Sequence, residues 1–454
     1  THCGPVGHEW PDDLHRGMLP RAVLFWMVTF WMALFVIRPW EQLLPELESM
    51  HFERMYALAV IAAVVALGRF RVCGSLQTVG VVAFLCALGA SSVFAIDPSL
   101  AWEELYKYMT LVVFYFILLS VLRTPYQLCL LAAGYVVVMA VYLGKAEYEF
   151  FLHGHHTYRM GVRRLIGIET TFGGPNSVAA STVLSLPFLH FLWRCRRQLT
   201  STWPRLWQKW FPRCLVAYGL LAVSAIVLTN SRAGMLGVIG FALLCAANGK
   251  RLSRALVAVF GAAVVLSAIW LAMPEENQNR LRTVWDPQSG PESASDSAQG
   301  RIHGLAAGVA MFAQYPATGV GLGENFIQYR VAHCDGVARQ AHNLVGQMLG
   351  SVGTIGCVAF LLLIAGTFLN CRATKKLARG SSDSTVQVLA SLATACQFSL
   401  ILLLFFGLAG HNLLRFNWLW LAAFALLCRI FCEDLLGNRK PIGHPRPFGG
   451  CARG

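Results

Sequence analysis

His342 stands in QAHNLVGQ (340–347), between the longest polar segment of the chain and an apolar run, LGSVGTIGCVAFLLLIAGTFL, fit to cross a bilayer. An imidazole has an ordinary pKa near 6.5, so at neutral pH it can take or give a proton. Two chemistries suit such a position. The histidine can cap or hydrogen-bond a helix end at the membrane interface. It can also move a proton on a substrate that arrives through the membrane with its polar group outside. Arginines bear on the choice. YRMGVRRLIG places Arg159, Arg163 and Arg164 shortly before an apolar segment, and LTNSRAGMLG places Arg232 in a turn between two others. A guanidinium held there is costly unless it is paired or faces a wet cavity. Its planar donor fork matches phosphate oxygens in pairs. Ion pairs with external carboxylates explain any one of these arginines equally well. The whole set, converging beside a titratable histidine, points to an anionic ligand.

The composition supplies elements that could hold such groups at one face of a membrane. Hydrophobic residues make up 56% of the chain and charged residues 13%, about half the charge of a soluble globular protein. Mean hydropathy is +0.54. This predicts an all-α polytopic membrane protein with about twelve transmembrane helices, near 21–37, 55–68, 76–95, 108–121, 127–143, 175–193, 214–229, 233–247, 255–272, 343–369, 386–408 and 416–432. The expected organisation is one integrated membrane domain: helices one to nine over 1–272, an external loop over 273–342, and helices ten to twelve with a tail over 343–454. Thr1 is not a start methionine, so a processed or trimmed N-terminus is expected, and Arg21–Ile37 reads as a spanning helix, not a cleavable signal.

Charge orients the chain. With both termini cytoplasmic, the segments on the inner side hold most of the Lys and Arg, and those outside hold most of the Asp and Glu. That is the bias inner loops carry, and it accounts for the net charge of +14 without nucleic acid. RCRRQLTSTWPRLWQKWFPR (194–213) reads as a cytoplasmic interfacial anchor that meets membrane lipids. Of 14 cysteines, only Cys334 falls outside in this topology, which leaves no disulfide framework, and no CxxC or metal spacing is present.

Two external segments, about 144–174 and 273–341, exceed simple turns, and long loops tend to be functional or disordered. Within the second, GRIHGLAAGVAMFAQ puts Ile302, Leu305, Val309 and Phe312 on one helical face, as in an amphipathic helix at the membrane surface. Gly304 and Gly308 would let that helix approach another closely. YPATGVGLGENF then reads as a glycine-rich turn or as a flexible connector. The predicted span cores contain no Asp, Glu or Lys, with His190 and Arg429 as exceptions near cytoplasmic ends. This disfavours an ion-coupled transporter or an intramembrane protease, both of which need buried relays. HGHH (153–156) and HCD (333–335) could bind a metal, though zinc-ligand geometry is not evident. His411-Asn412, followed by Arg415, reads as a polar turn, or as a second lining of the same cavity.

Three segments together resemble the O-antigen ligase/polymerase superfamily: GRIHGLAAGVAMFAQYPATGVGLGENF followed by AHNLVGQMLGSVGTIG, RRLIGIETTFGGPNSVAAS, and TNSRAGMLG. They lie in the family's order across residues 163–356. Arg164 to Gly167 fits its R-x-x-G better than Arg163 does. The chain departs from the pattern at Gly350-Ser351-Val352, where the family often has Glu, which leaves acceptor choice open. The resemblance implies a GT-C-like, metal-independent glycosyltransferase without a cofactor. It would sit in the bacterial inner membrane with its active site facing the periplasm. The donor would be a glycan on undecaprenyl diphosphate and the acceptor a sugar hydroxyl of lipid A–core, with inversion at the anomeric carbon. In that reading His342 is the general base. Arg164 and Arg232, with Arg163 or Arg301, bind the diphosphate, and Asn343 orients the base or the acceptor. A polymerase or a protein O-oligosaccharyltransferase uses the same motifs, and a carrier of lipid-linked sugar is the non-enzymatic alternative.

Overall fold

A computed structural model describes residues 19–42, 44, 46–68, 70–159, 162–168, 172–249, 275–282 and 293–437. The helices are α1 (Leu19–Val36), α2 (Pro39–Gln42), α3 (Glu46–Ser49), α4 (Phe52–Ala66), α5 (Leu76–Val93), α6 (Pro98–Val121) and α7 (Pro125–Leu152). A short hairpin, β1 (His156–Arg159) and β2 (Val162–Leu165), follows. Then come α8 (Pro175–Leu199), α9 (Arg205–Leu228), α10 (Arg232–Ala247), α11 (Glu275–Arg282), α12 (Ser293–Gln314), α13 (Asn325–His333), α14 (Leu344–Arg379), α15 (Ser384–Gly407) and α16 (Asn417–Leu435).

The apolar runs fold as helices because no other element satisfies its own backbone in lipid apart from a closed barrel, and polar caps mark where they start. Asp97 and Thr124 each accept a first-turn N–H, ahead of Pro98 and Pro125, which cannot donate one. Among the described residues seven helices, α5 to α9, α14 and α15, are long and apolar enough to cross a membrane, and α1 and α10 are shorter apolar helices. The protein is an all-α, multi-pass membrane protein. The spans expected at 55–68 and 416–432 fall in α4 and α16, and the one at 255–272 lies outside the described residues.

One boundary differs from the expectation in a way that matters. Helix α7 does not stop near residue 143 but runs 28 residues to Leu152. At 1.5 Å per residue that is about 42 Å, beyond the roughly 30 Å hydrocarbon core. The absence of Asp, Glu and Lys holds for 127–143 but not for the whole helix, which carries Lys145, Glu147 and Glu149 toward its end. The segment expected to be a loop from 144 is therefore helical first, and the hairpin sits at its tip.

Helix α14 packs against α5, α12, α15 and α16, and it is broken. Gly353 has φ 58 and ψ −160, a conformation essentially restricted to glycine. A break inside the membrane leaves backbone groups that lipid cannot satisfy. The glycine-rich segment after α12 fills that gap. Val320 and Gly321 donate to the Gly350 and Ser351 carbonyls at 2.8 and 3.3 Å, and Thr354 and Ile355 donate to the Pro316 and Ala317 carbonyls at 2.8 and 3.1 Å. YPATGVGLGENF is therefore a fixed plug and not a flexible connector. Gly319, Gly321 and Gly323 all have positive φ, as the plug's turns require. A Cβ on Gly353 would lie 2.6 Å from the Ala317 carbonyl. The expected result for Gly353→Ala is a loss of about 2–4 kcal/mol, seen as a lower thermal unfolding midpoint in detergent.

Helix α12 meets α14 through small residues. A Cβ on Gly304 would run into the Ala341 carbonyl, and one on Gly308 into that of Gly346. Ala307 and Met311 are buried on the same side, while Ile302 and Val309 are exposed. The close approach expected of Gly304 and Gly308 thus sets α12 directly against the chain around His342.

Candidate functional site

A cavity of about 870 Å³ opens between the hairpin, the start of α8, the end of α15 and the turn before α16, with His342 and Arg301 on its wall. Its volume is that of a site for a sizeable ligand. Its cationic and titratable lining includes Arg164, Arg301, Arg415, His342 and His411. Helices α8 and α15 add the apolar Ala180, Leu184, Leu403 and Phe406 to the wall.

Strand alternation decides between the adjacent arginines. Successive side chains of β2 point to opposite faces, so Arg163 is exposed while Arg164 is buried and lines the cavity. In the hairpin Arg164 pairs with Thr157, another lining residue, and Arg163 pairs with Tyr158. Arg164 donates from Nε to the Thr229 carbonyl at 2.8 Å and from Nη2 to Asn176 Oδ1 at 2.9 Å. Ser231 Oγ donates to that same Asn176 oxygen at 3.0 Å. Asn230, with φ 47, donates from Nδ2 to the Arg163 carbonyl. The RRLIG, GPN and TNSR segments are thus one hydrogen-bonded cluster.

Helix α8 begins inside the cavity. Gly174, its N-cap, offers no side-chain cap, and Gly174 to Ser177 line the wall. The positive end of a 25-residue helix therefore adds to the arginines, a setting that favours anions. Arg415 donates to Ser177 Oγ at 3.2 Å. Arg232 opens α10 beside the lining residue Ala233. Burial and the positive charge of Arg232 both push the Arg301 guanidinium below its ordinary pKa.

His342 is presented by three supports. Its own φ of 48 is left-handed, a conformation that costs a non-glycine residue about 1–3 kcal/mol. Next to it, Ala341 is buried under Gly304. On the other side Asn343 caps α14, its Oδ1 accepting from Val345 and Gly346 at 2.9 and 3.1 Å, while its Nδ2 donates to the Leu408 carbonyl. Asn343 therefore does the capping, and the imidazole is left to the cavity. A third support, not legible in the sequence, is Arg330. This buried guanidinium holds Asp335 at 2.8 and 2.6 Å and donates to the Arg339 and Gln340 carbonyls, fixing the strand of chain that leads to His342.

The two histidines face each other. His342 Nδ1 lies 3.3 Å from His411 Nδ1, with ring centroids 5.0 Å apart and a T-shaped arrangement. Burial, followed by Arg301, Arg339 and Arg330, keeps the His342 pKa below the ordinary value. Burial, then His342 and Arg415, lowers His411 to about 4. Both are neutral at pH 7. The folded protein resists protons that the unfolded chain accepts below pH 6.5, so stability should be unaffected above 6.5 and fall as pH drops from 6.5 toward 4. Unfolding midpoints across that window should fall less steeply in His411→Gln.

The other histidines diverge. His153 turns to Glu149 at 2.8 Å, His155 lines the cavity, and His156 packs on Phe150. His333 lies against Tyr329. Among the described residues no three His, Cys, Asp or Glu side chains are grouped to share an ion. Of the two places open to His411 and Arg415 in the sequence, a polar turn or a second lining of the cavity, the structure shows a turn that lines the cavity. The repeated His-Asn pair was the signal that they belong here.

Residues 217–361 match the family model described as O-Antigen ligase. Over that stretch, about a third of the chain, the sequence is similar to the O-antigen ligase family. The matched stretch contains Arg232, Arg301 and His342. Arg164, Asn176, His411 and Arg415 lie outside it and meet the matched stretch at the shared cavity. No curated protein matches the chain.

Proposed function

We propose that the protein is a membrane glycosyltransferase that moves a glycan from undecaprenyl diphosphate to a sugar hydroxyl of lipid A–core at the periplasmic face of the bacterial inner membrane. The observation that carries this reading is one cavity lined both by Arg164, Arg301, Arg415 and His342 and by apolar side chains of α8 and α15. Such a site suits an amphiphile with a polyanionic head and a hydrocarbon chain. The O-antigen ligase match supports the same class of substrate.

In this mechanism His342 removes the proton from the acceptor hydroxyl. The oxygen attacks the anomeric carbon from the face opposite the diphosphate, which leaves with the bonding electron pair and inverts the configuration. Arg164 and Arg301, with Arg232 behind Arg301 and the α8 N-terminus alongside, offset the charge that builds on the leaving group. Preplaced cations of this kind are often the larger contribution to rate. They let the reaction be written without a metal.

Purified protein incubated in EDTA with undecaprenyl-diphosphate glycan, with and without lipid A–core, tests the reading. Product only with lipid A–core is the expected result. A ladder of lengthened donor formed without it would make the protein a polymerase. Donor binding without any transfer, in both tubes, would overturn the ligase reading in favour of a protein acceptor or a carrier.

A further inference from the structure

The His342 imidazole stands against that of His411, and two neutral imidazoles can meet Nδ1 to Nδ1 in only one way. One nitrogen carries a proton and the other a lone pair. The contact at 3.3 Å is held from both sides. At the start of α14, the cap residue Asn343 donates from Nδ2 to the Leu408 carbonyl and Gln347 Oε1 accepts from the Leu413 amide. Across the turn, Asn412 Nδ2 donates to the Leu403 carbonyl, and Trp418 Nε1 donates to the Asn412 carbonyl. The 408–413 turn that carries His411 is thereby fixed to the helix that carries His342.

We propose that His411 is a positioning residue that accepts a hydrogen bond from His342 Nδ1–H and so keeps the Nε2 lone pair of His342 open to the acceptor hydroxyl. This rests on the proposed role of His342 as base. When Nε2 takes the proton, the acceptor O–H bond breaks, an N–H bond forms, and His342 becomes an imidazolium. His411 then stabilises it through the same contact, and the proton leaves to solvent after the glycosidic bond has formed. The charged side chains acting on the pair are positive: Arg301, Arg339 and Arg330 on His342, and Arg415 on His411. A carboxylate in the place of His411 would also orient the base, but it would repel a diphosphate in the same cavity. A neutral imidazole orients without that repulsion. The reverse arrangement, with His411 as donor, would leave a proton on Nε2 of His342 and make it unable to act as base.

Transfer kinetics of wild type, His342→Ala, His411→Ala and His411→Asn test the proposal. His411→Ala should lower kcat by about 10–100-fold, part of the roughly 10²–10⁴-fold that a placed base supplies, with KM for the donor little changed. Its loss as acceptor should destabilise the His342 imidazolium and move the acid limb of the pH–rate profile to lower pH. His411→Asn, which puts an amide oxygen near the Nδ1 position, should restore most of the rate. Unchanged kcat and an unmoved limb in His411→Ala, where His342→Ala is inactive, would overturn the role of His411 alone. Transfer by His342→Ala would overturn the base assignment and this proposal with it. Nitrogen-15 spectra of histidine-labelled wild-type protein give a readout that needs no variant to be active. The Nδ1–H tautomer at His342 is expected, and the Nε2–H tautomer there would overturn the proposal.

Discussion

His342→Ala should transfer glycan about 10²–10⁴-fold more slowly than wild type while still binding the lipid-linked donor. The separation follows from the layout of the cavity. The arginines and the α8 N-terminus that would hold a diphosphate are carried by β2, α8, α12 and the turn before α16, whereas His342 is fixed by α12, Arg330 and Asn343. Removing the imidazole leaves the anion site standing. Single-turnover transfer measured beside equilibrium donor binding checks this. A variant that loses both equally would mean that His342 acts in binding and not in proton transfer.

Arg164→Lys should lower kcat/KM for the donor by about 10²–10³-fold, the scale of one lost preorganised charge donor, although the charge is kept. A lysine ammonium is a point donor and cannot hold the Thr229 carbonyl and Asn176 together while facing a phosphate, as the guanidinium fork does. Arg163→Lys, one residue away, should stay within about twofold, as surface changes away from a site usually do. Equal losses in the two variants would sink the assignment. Thermal unfolding of both proteins distinguishes a catalytic loss from a collapse of the hairpin.

Much of the architecture was written in the order of residue types. Apolar runs of bilayer length imposed helices because backbone polar groups have no partner in lipid, and the Lys and Arg bias predicts cytoplasmic termini. Gly304 and Gly308 announced a close crossing. The glycine run at 316–323 announced turns, but not that its carbonyls and amides would complete a helix broken at Gly353, since that pairing joins segments about thirty residues apart. The end of α7 was misplaced for a related reason. Lys145, Glu147 and Glu149 read as loop residues by polarity, yet a helix can continue past the membrane when its backbone is already paired.

For the candidate site, residue type and position singled out His342, Arg159, Arg163, Arg164 and Arg232 as chemically apt, and the resemblance to the O-antigen ligase/polymerase superfamily added Arg301 and favoured Arg164 over Arg163 by one glycine. Tertiary structure placed Arg164 in the cavity and Arg163 outside it, because a strand sends adjacent side chains to opposite faces. It assigned Asn343 to the helix cap and brought His411 and Arg415, far downstream of His342 in the chain, to the same cavity. A sequence specifies which groups can hold charge or move a proton. Which of them share a cavity depends on distances that only packed helices set, because hydrogen bonding and proton transfer require contact within about 3 Å.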